Sequence, residues 1–168
     1  TVSSLSNTGR ISATGGLTNT AIDLSANGSG VTLTQALASA TATAPQIVGD
    51  VRLGSGNDVL TVSAGSITGN LSLGAGNDSV ALSGTSSLTG NVAFGTGTSS
   101  LTVANSASLT GNVDFGGSAG TLVLNGTSSL SGAINNGGNV DVTLNGGTLS
   151  TTSTGSIALG SLSASGTS

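Results

Sequence analysis

Two short stretches of the chain set carboxylates at matching positions. Gly54, Gly56 and Asp58 lie in LGSGNDVLT (53–61), and Gly74, Gly76 and Asp78 lie in LGAGNDSVA (73–81). Carboxylates repeated in this way, with flexible glycine carbonyls beside them, can hold one hard cation between oxygen ligands. Acid–base catalysis asks for more: a placed Lys, Arg or His, or two carboxyls in unlike surroundings. The chain has no His, Lys, Tyr or Cys, and Asp50, Asp114 and Asp141 fall at different levels or corners of the sequence repeat. With only two Phe and no Trp, nothing is placed to hold a sugar ring. The residues therefore predict a protein that is not an enzyme.

Both stretches match the G-x-G-x-D-x-U part of the calcium-binding nonapeptide repeat. The leading glycine of that pattern is Leu53 in one copy and Leu73 in the other, the copies are 20 residues apart where nonapeptides give nine, and the following corners lack Asp. A Gly-Asn-Asp turn accounts for the same residues. Asp58 and Asp78 are thus the metal candidates of a chain expected to need no cofactor. They are expected to stand exposed, about 5 Å apart, and to bind calcium weakly at best.

What positions these residues is a repeat. SLTGNVAF (87–94) returns as SLTGNVDF (108–115), and SITGNLSL (66–73) is a looser copy. A period of this length marks an array whose units cannot bury their apolar faces alone. Three ladders of apolar residues follow it. The first is Ile11, Val31, Val51, Leu71, Val92, Val113 and Ile134, with Leu33, Leu53, Leu73, Phe94 and Phe115 two residues on. The second is Leu60, Val80, Leu101, Leu122 and Val142, again with apolar partners two residues on, and the third is Ile47, Ile67, Leu88, Leu109, Leu130 and Leu149. Spacing by two is strand spacing. The predicted fold is all-β: a right-handed single-stranded parallel β-helix, or β-solenoid, with three short strands per coil and about 20–21 residues per coil. Stacking about eight coils at strand spacing gives a rod roughly 38 Å long, with Phe94 directly over Phe115 inside it.

The corners carry their own ladders. Gly54, Gly74, Gly95, Gly116 and Gly137 recur at one bend, where positive φ is expected. Asn70, Asn91 and Asn112 recur at a second and Asn105, Asn125 and Asn145 at a third, as structural rows with amides hydrogen-bonded along the rod. One solenoid domain is expected over 1–168, with less regular coils over 1–48, regular repeats over 49–150, and a terminal coil or open end over 151–168. Within the first part, Ala38 to Ala44 place small residues where the second ladder expects large ones, and Pro45 suits a corner or an edge.

Composition excludes several partners. The net charge is −4, all six acidic residues are Asp, and Arg10 and Arg52 are the only cations. Neither a phosphate-neutralising patch nor a base-stacking platform can be made, so no nucleic-acid binding is expected. No apolar run is long enough to span a membrane. The start at Thr1 suggests a processed or excised segment. With 5% charged residues, the surface must be made of Ser, Thr, Asn and Gly. Ser66 and Thr68, Ser87 and Thr89, Ser108 and Thr110, and Ser129 and Ser131 form outward rows, a pattern also suited to ice binding, although Thr is common on any exposed strand.

The coils from SITGNLSLGAGNDSVALSG through SLTGNVDFG, followed by LNGGTLS, resemble the passenger region of bacterial autotransporters, including repetitive adhesins. The likeness covers residues 47–150 well. It implies passage through an outer-membrane barrel lying outside this chain, display at the bacterial cell surface or in the extracellular space, and a role in adhesion, aggregation or biofilm contact. The partners so implied are a host or bacterial surface, or copies of the chain itself. The absence of Cys and the shortage of trypsin-like sites fit that life. The alternatives are a self-assembling extracellular filament subunit stacked end to end, and an ice-binding or calcium-stabilised repeat protein.

Overall fold

The computed structural model describes residues 1–13, 19–151 and 157–166. They form an all-β solenoid of three parallel sheets, about five turns long, with a short 3₁₀ turn at Gly137–Asn139. An eight-stranded sheet runs from Ser4–Asn7 to Ser161–Ser165, a seven-stranded sheet from Arg10–Ser12 to Thr148–Ser150, and a six-stranded sheet from Thr20–Asp23 to Ile134–Asn135. In each sheet the order follows the chain, so every strand pairs with its counterpart one coil earlier and one coil later.

Alternation within each strand decides what enters the core. In Ser79–Leu82, Val80 and Leu82 are buried while Ser79 and Ala81 are only half covered. Leu33, Leu60, Val80, Leu101, Leu122 and Val142 stack as direct partners down the eight-stranded sheet. Ile47, Ile67, Leu88, Leu109 and Leu130 do so in the seven-stranded sheet, and Ile22, Val51, Leu71, Val92, Val113 and Ile134 in the six-stranded one. All are buried in one continuous core, where each side chain contributes about 1.5–3 kcal/mol. Phe94 and Phe115 stack inside it with ring centroids 5.0 Å apart and planes inclined by 20°.

The tight corner between the seven- and six-stranded sheets is where glycine is required. Gly90 has φ 147°, and a Cβ there would run into the carbonyl oxygen of Gly69 one coil away. Gly111 and Gly132 repeat the arrangement. At the bend assigned from sequence to Gly54, Gly74, Gly95, Gly116 and Gly137, only the middle three have positive φ. At Gly54 a Cβ would instead run into the Asn27 carbonyl, and Gly137 opens the 3₁₀ turn.

The first coils depart from the expected ladders. Ile11 pairs with Ile47 in the seven-stranded sheet, and Leu33 with Leu60 in the eight-stranded one, so neither belongs to the first ladder. Val31 stands just before the strand Thr32–Gln35 in the latter sheet. The place given to Ile11 in the first ladder is taken by Ile22. The reason is coil length: Ser4 pairs with Thr32, Thr32 with Val59, and Arg10 with Gln46, spacings of 28, 27 and 36 residues. Residues 37–44 leave the wall as a largely exposed loop, so Ala38 to Ala44 fill no core position. The register steps from Ile47 to Leu149 make the five regular turns, and the longer first coils and the terminal strand carry the eight-stranded sheet to eight levels. At the other end Ser161–Ser165 pairs with Asp141–Asn145, but Leu162 is 59% exposed and the core tapers away. Part of the terminal segment expected over 151–168, namely 152–156 and 167–168, lies outside the described residues.

Candidate functional site

Asp58 and Asp78 close their Gly-Asn-Asp turns immediately before the neighbouring strands Val59–Val62 and Ser79–Leu82. Strand parity settles their direction. Leu60 and Val62 point inward, so Asp58, two residues before Leu60, points inward as well, and Asp78 follows Val80 and Leu82 in the same way. The two carboxylates are 0% and 2% exposed. This corrects the expectation of an exposed pair: Gly and Asn mark a surface turn, whereas its last residue already has the phase of the strand.

The buried side chains form a one-directional ladder. The Val31 N–H donates to Asp58 Oδ1 at 2.7 Å, the Asp58 N–H donates to Asp78 Oδ1 at 2.9 Å, and the Asp78 N–H donates to Ser99 Oγ at 3.2 Å. Each side chain thus reaches back to the backbone of the preceding coil. The ladder ends at Gly120, the register partner of Ser99, where a Cβ would meet the Phe115 ring. Oδ2 of Asp58 and Oδ2 of Asp78 are buried with no hydrogen-bond partner among the described residues. Burial pushes the Asp58 carboxyl above its ordinary range, opposed by the Val31 N–H. Asp78 is pushed up to about 6, chiefly by burial, with the Asp58 N–H opposing and the Asp58 charge reinforcing the shift.

As a calcium site the pair does not fit. Calcium takes six to eight oxygen ligands, whereas each Asp has already committed Oδ1 to a backbone N–H and leaves one oxygen. Among the described residues no three His, Cys, Asp or Glu side chains converge as a metal cluster.

The other carboxylates stay apart from this column and from one another. Asp50 Oδ1 accepts from the Asn70 N–H at 2.8 Å, Asp114 Oδ1 from Gly116 N–H and Asn136 Nδ2, both at 2.8 Å, and Asp141 Oδ1 from Ser161 Oγ at 2.6 Å. Two open grooves, one beside Asp114, Asn135 and Asn136 and one beside Arg10 and Gln46, lie away from Asp58 and Asp78.

The Asn row works differently from the expected stack of amides. Oδ1 of Asn70 accepts the Asn91 N–H at 3.1 Å, Oδ1 of Asn91 accepts the Asn112 N–H at 2.8 Å, and Oδ1 of Asn112 accepts the Ala133 N–H at 2.9 Å. Side chain meets backbone, and the positive φ of this corner falls on the preceding glycines. Asn57 and Asn77 make a parallel row to the N–H groups of Asn77 and Thr98. In the third row, Asn105 has φ 61°, and Asn145 Nδ2 donates to Asn125 Oδ1 at 2.9 Å.

Sequence reasoning missed a second polar core feature. Gln35 and Asn7 occupy the column continued by Val62 and Leu82, and Asn7 Nδ2 donates to Gln35 Oε1 at 2.9 Å in the interior. Gln35 Nε2 in turn reaches the Ser66 carbonyl at 3.1 Å. The signal was available, since Gln35 follows Leu33 by two.

On the outer wall of the seven-stranded sheet, Thr68, Thr89, Thr110 and Ser131 are direct register partners and exposed, beside half-exposed Ser66, Ser87, Ser108 and Ser129. No protein-family model matches the chain, and comparison with curated proteins and with solved structures finds no relative.

Proposed function

We propose that the chain is a contact rod displayed at a bacterial surface, of the autotransporter passenger type, acting in adhesion, aggregation or biofilm contact. The observation that carries this reading is the registered, uncharged hydroxyl wall: Thr68, Thr89 and Thr110 in one exposed row, with Ser66, Ser87 and Ser108 beside them. Strand pairing fixes the rows at about 4.8 Å along the rod. A wall of this kind offers many identical weak contacts held in one geometry, and linked weak contacts give avidity without any single strong site. Its opposite face is the apolar core, so side chains on the wall can change without disturbing the interior.

The test is display of the chain on otherwise non-adherent cells or beads. Sedimentation of the particles with themselves reads self-contact, and retention on host-cell or abiotic surfaces reads adhesion. The triple variant Thr68→Lys, Thr89→Lys, Thr110→Lys should lose most of the contact while keeping its melting curve. Retention no greater than that of the bare display scaffold would overturn the reading.

A further inference from the structure

The Asp58–Asp78 column has a chemical character that the contact function leaves unused. Both carboxyls are buried, both spend Oδ1 on a backbone N–H of the preceding coil, and both keep Oδ2 inside without a donor. An ionised group here leaves a charged oxygen with neither water nor an N–H to stabilise it, a costly state in a protein interior. A protonated group places a hydroxyl on that same oxygen and keeps the ladder bond at Oδ1. Among the described residues no cation relieves the pair. The Asp58 charge raises the pKa of Asp78 further, while the Asp58 carboxyl is shifted by burial against the opposing Val31 N–H. From the coil before, the column faces the Val31 N–H, and from the coil after, the Ser99 hydroxyl oxygen, which the Asp78 N–H occupies.

We propose that the Asp58–Asp78 column is a proton-binding site built into the rod: the folded coils hold at least one proton on the pair, and its release loosens the stack around residues 56–80. The sign follows from the direction of the shifts. A folded-state pKa above the free value means that the associated stability is fully present below the ordinary carboxyl range, near 3.8, and is lost as pH rises through about 6 for Asp78. The rod is tighter in acid than at neutral pH. The column thereby sets a local opening response to the surroundings in which the rod is displayed.

The experiment is a set of thermal melts between pH 4 and pH 8 on the wild-type chain, Asp58→Asn and Asp78→Asn. Asn keeps the Oδ1 acceptor and puts a neutral group on the orphan position. Wild type should lose about 5 °C or more of Tm over that span. Asp78→Asn should melt at or above wild type at pH 8, with its Tm following pH less steeply between 5 and 7 because only Asp58 is left to titrate in the column, and Asp58→Asn should likewise flatten the profile. Carbon-13 carboxyl NMR of the aspartates in the wild-type chain gives a reading that does not depend on any variant folding, and one resonance should titrate near 6. A wild-type Tm that is flat or rises with pH would overturn the proposal, as would six aspartates all titrating at or below the ordinary range. Calcium supplies the last arm. A rise of about 10 °C at pH 8 on adding calcium, abolished in Asp78→Asn, would assign the column to a cation and not to a proton.

Discussion

The rod contains the same hydrogen bond twice, once in water and once in the core. At the surface, Asn70, Asn91 and Asn112 each accept a backbone N–H from the following coil through a neutral amide oxygen. Inside, Asp58 and Asp78 each accept a backbone N–H from the preceding coil through a carboxyl oxygen. The geometry is alike and the polarity opposite, but the larger difference is the environment. The outer row can exchange its partners with water, so it aligns coils at little risk. The inner row cannot, so a second oxygen that would be harmless at the surface becomes a place where a proton is held. Depth relative to the sheet, more than residue type, decides whether such a row acts as a spacer or as a titrating group.

The largest expected effect tests the side of the wall itself. Leu109 is fully buried with Leu88 and Leu130 as register neighbours, so Leu109→Asp should cost more than about 4 kcal/mol and melt several coils together. A circular dichroism melt equal to wild type would mean that the strand is turned over. A middle-sized effect sharpens the inner and outer rows. At pH 4, where charge contributes little, Asp58→Ala should cost about 1–3 kcal/mol because the buried Val31 N–H loses its acceptor. Asn91→Ala leaves the Asn112 N–H to water and should cost no more than about 1 kcal/mol by denaturant titration. Equal losses would erase the distinction between the rows. The smallest effect is Thr110→Lys on the exposed wall, expected within about 0.5 kcal/mol of wild type in the same titration.

The regular part of the fold was legible because its coils are nearly constant in length. With steps of 20 or 21 residues, an apolar residue in each strand repeats visibly, and Leu88 under Leu109 or Leu71 under Val92 can be read by counting. Counting failed over the first coils because a loop at 37–44 and longer steps from Ile11 to Ile22 and from Ile22 to Thr32 break the period, which moved Ile11 and Leu33 into the wrong ladder. The Asp pair was found by its motif but placed outside, because Gly and Asn announce a turn while the inward phase belongs to the strand that follows. Extending the alternation back from Leu60 and Val80 recovers it. Gln35 is the same lesson in reverse: its polarity hid an inward position that Leu33 had already fixed. Which backbone N–H an Asn oxygen meets depends on the neighbouring coil, so the polarity of the Asn row was not readable from residue type.

The in-register stacking of coils underlies both rows, and a disulfide tests it most directly because the chain has no native Cys. Thr89 and Thr110 are direct partners on the exposed wall, at a strand spacing of about 4.8 Å that a disulfide can bridge. In the Thr89→Cys, Thr110→Cys variant, mild oxidation should form an intramolecular bond quickly and leave the melt intact or raised. The Thr89→Cys, Ser108→Cys variant, displaced by two residues on the same face, should oxidise slowly or not at all. Faster closure of the displaced pair, or no closure of either, would contradict the register on which the account rests.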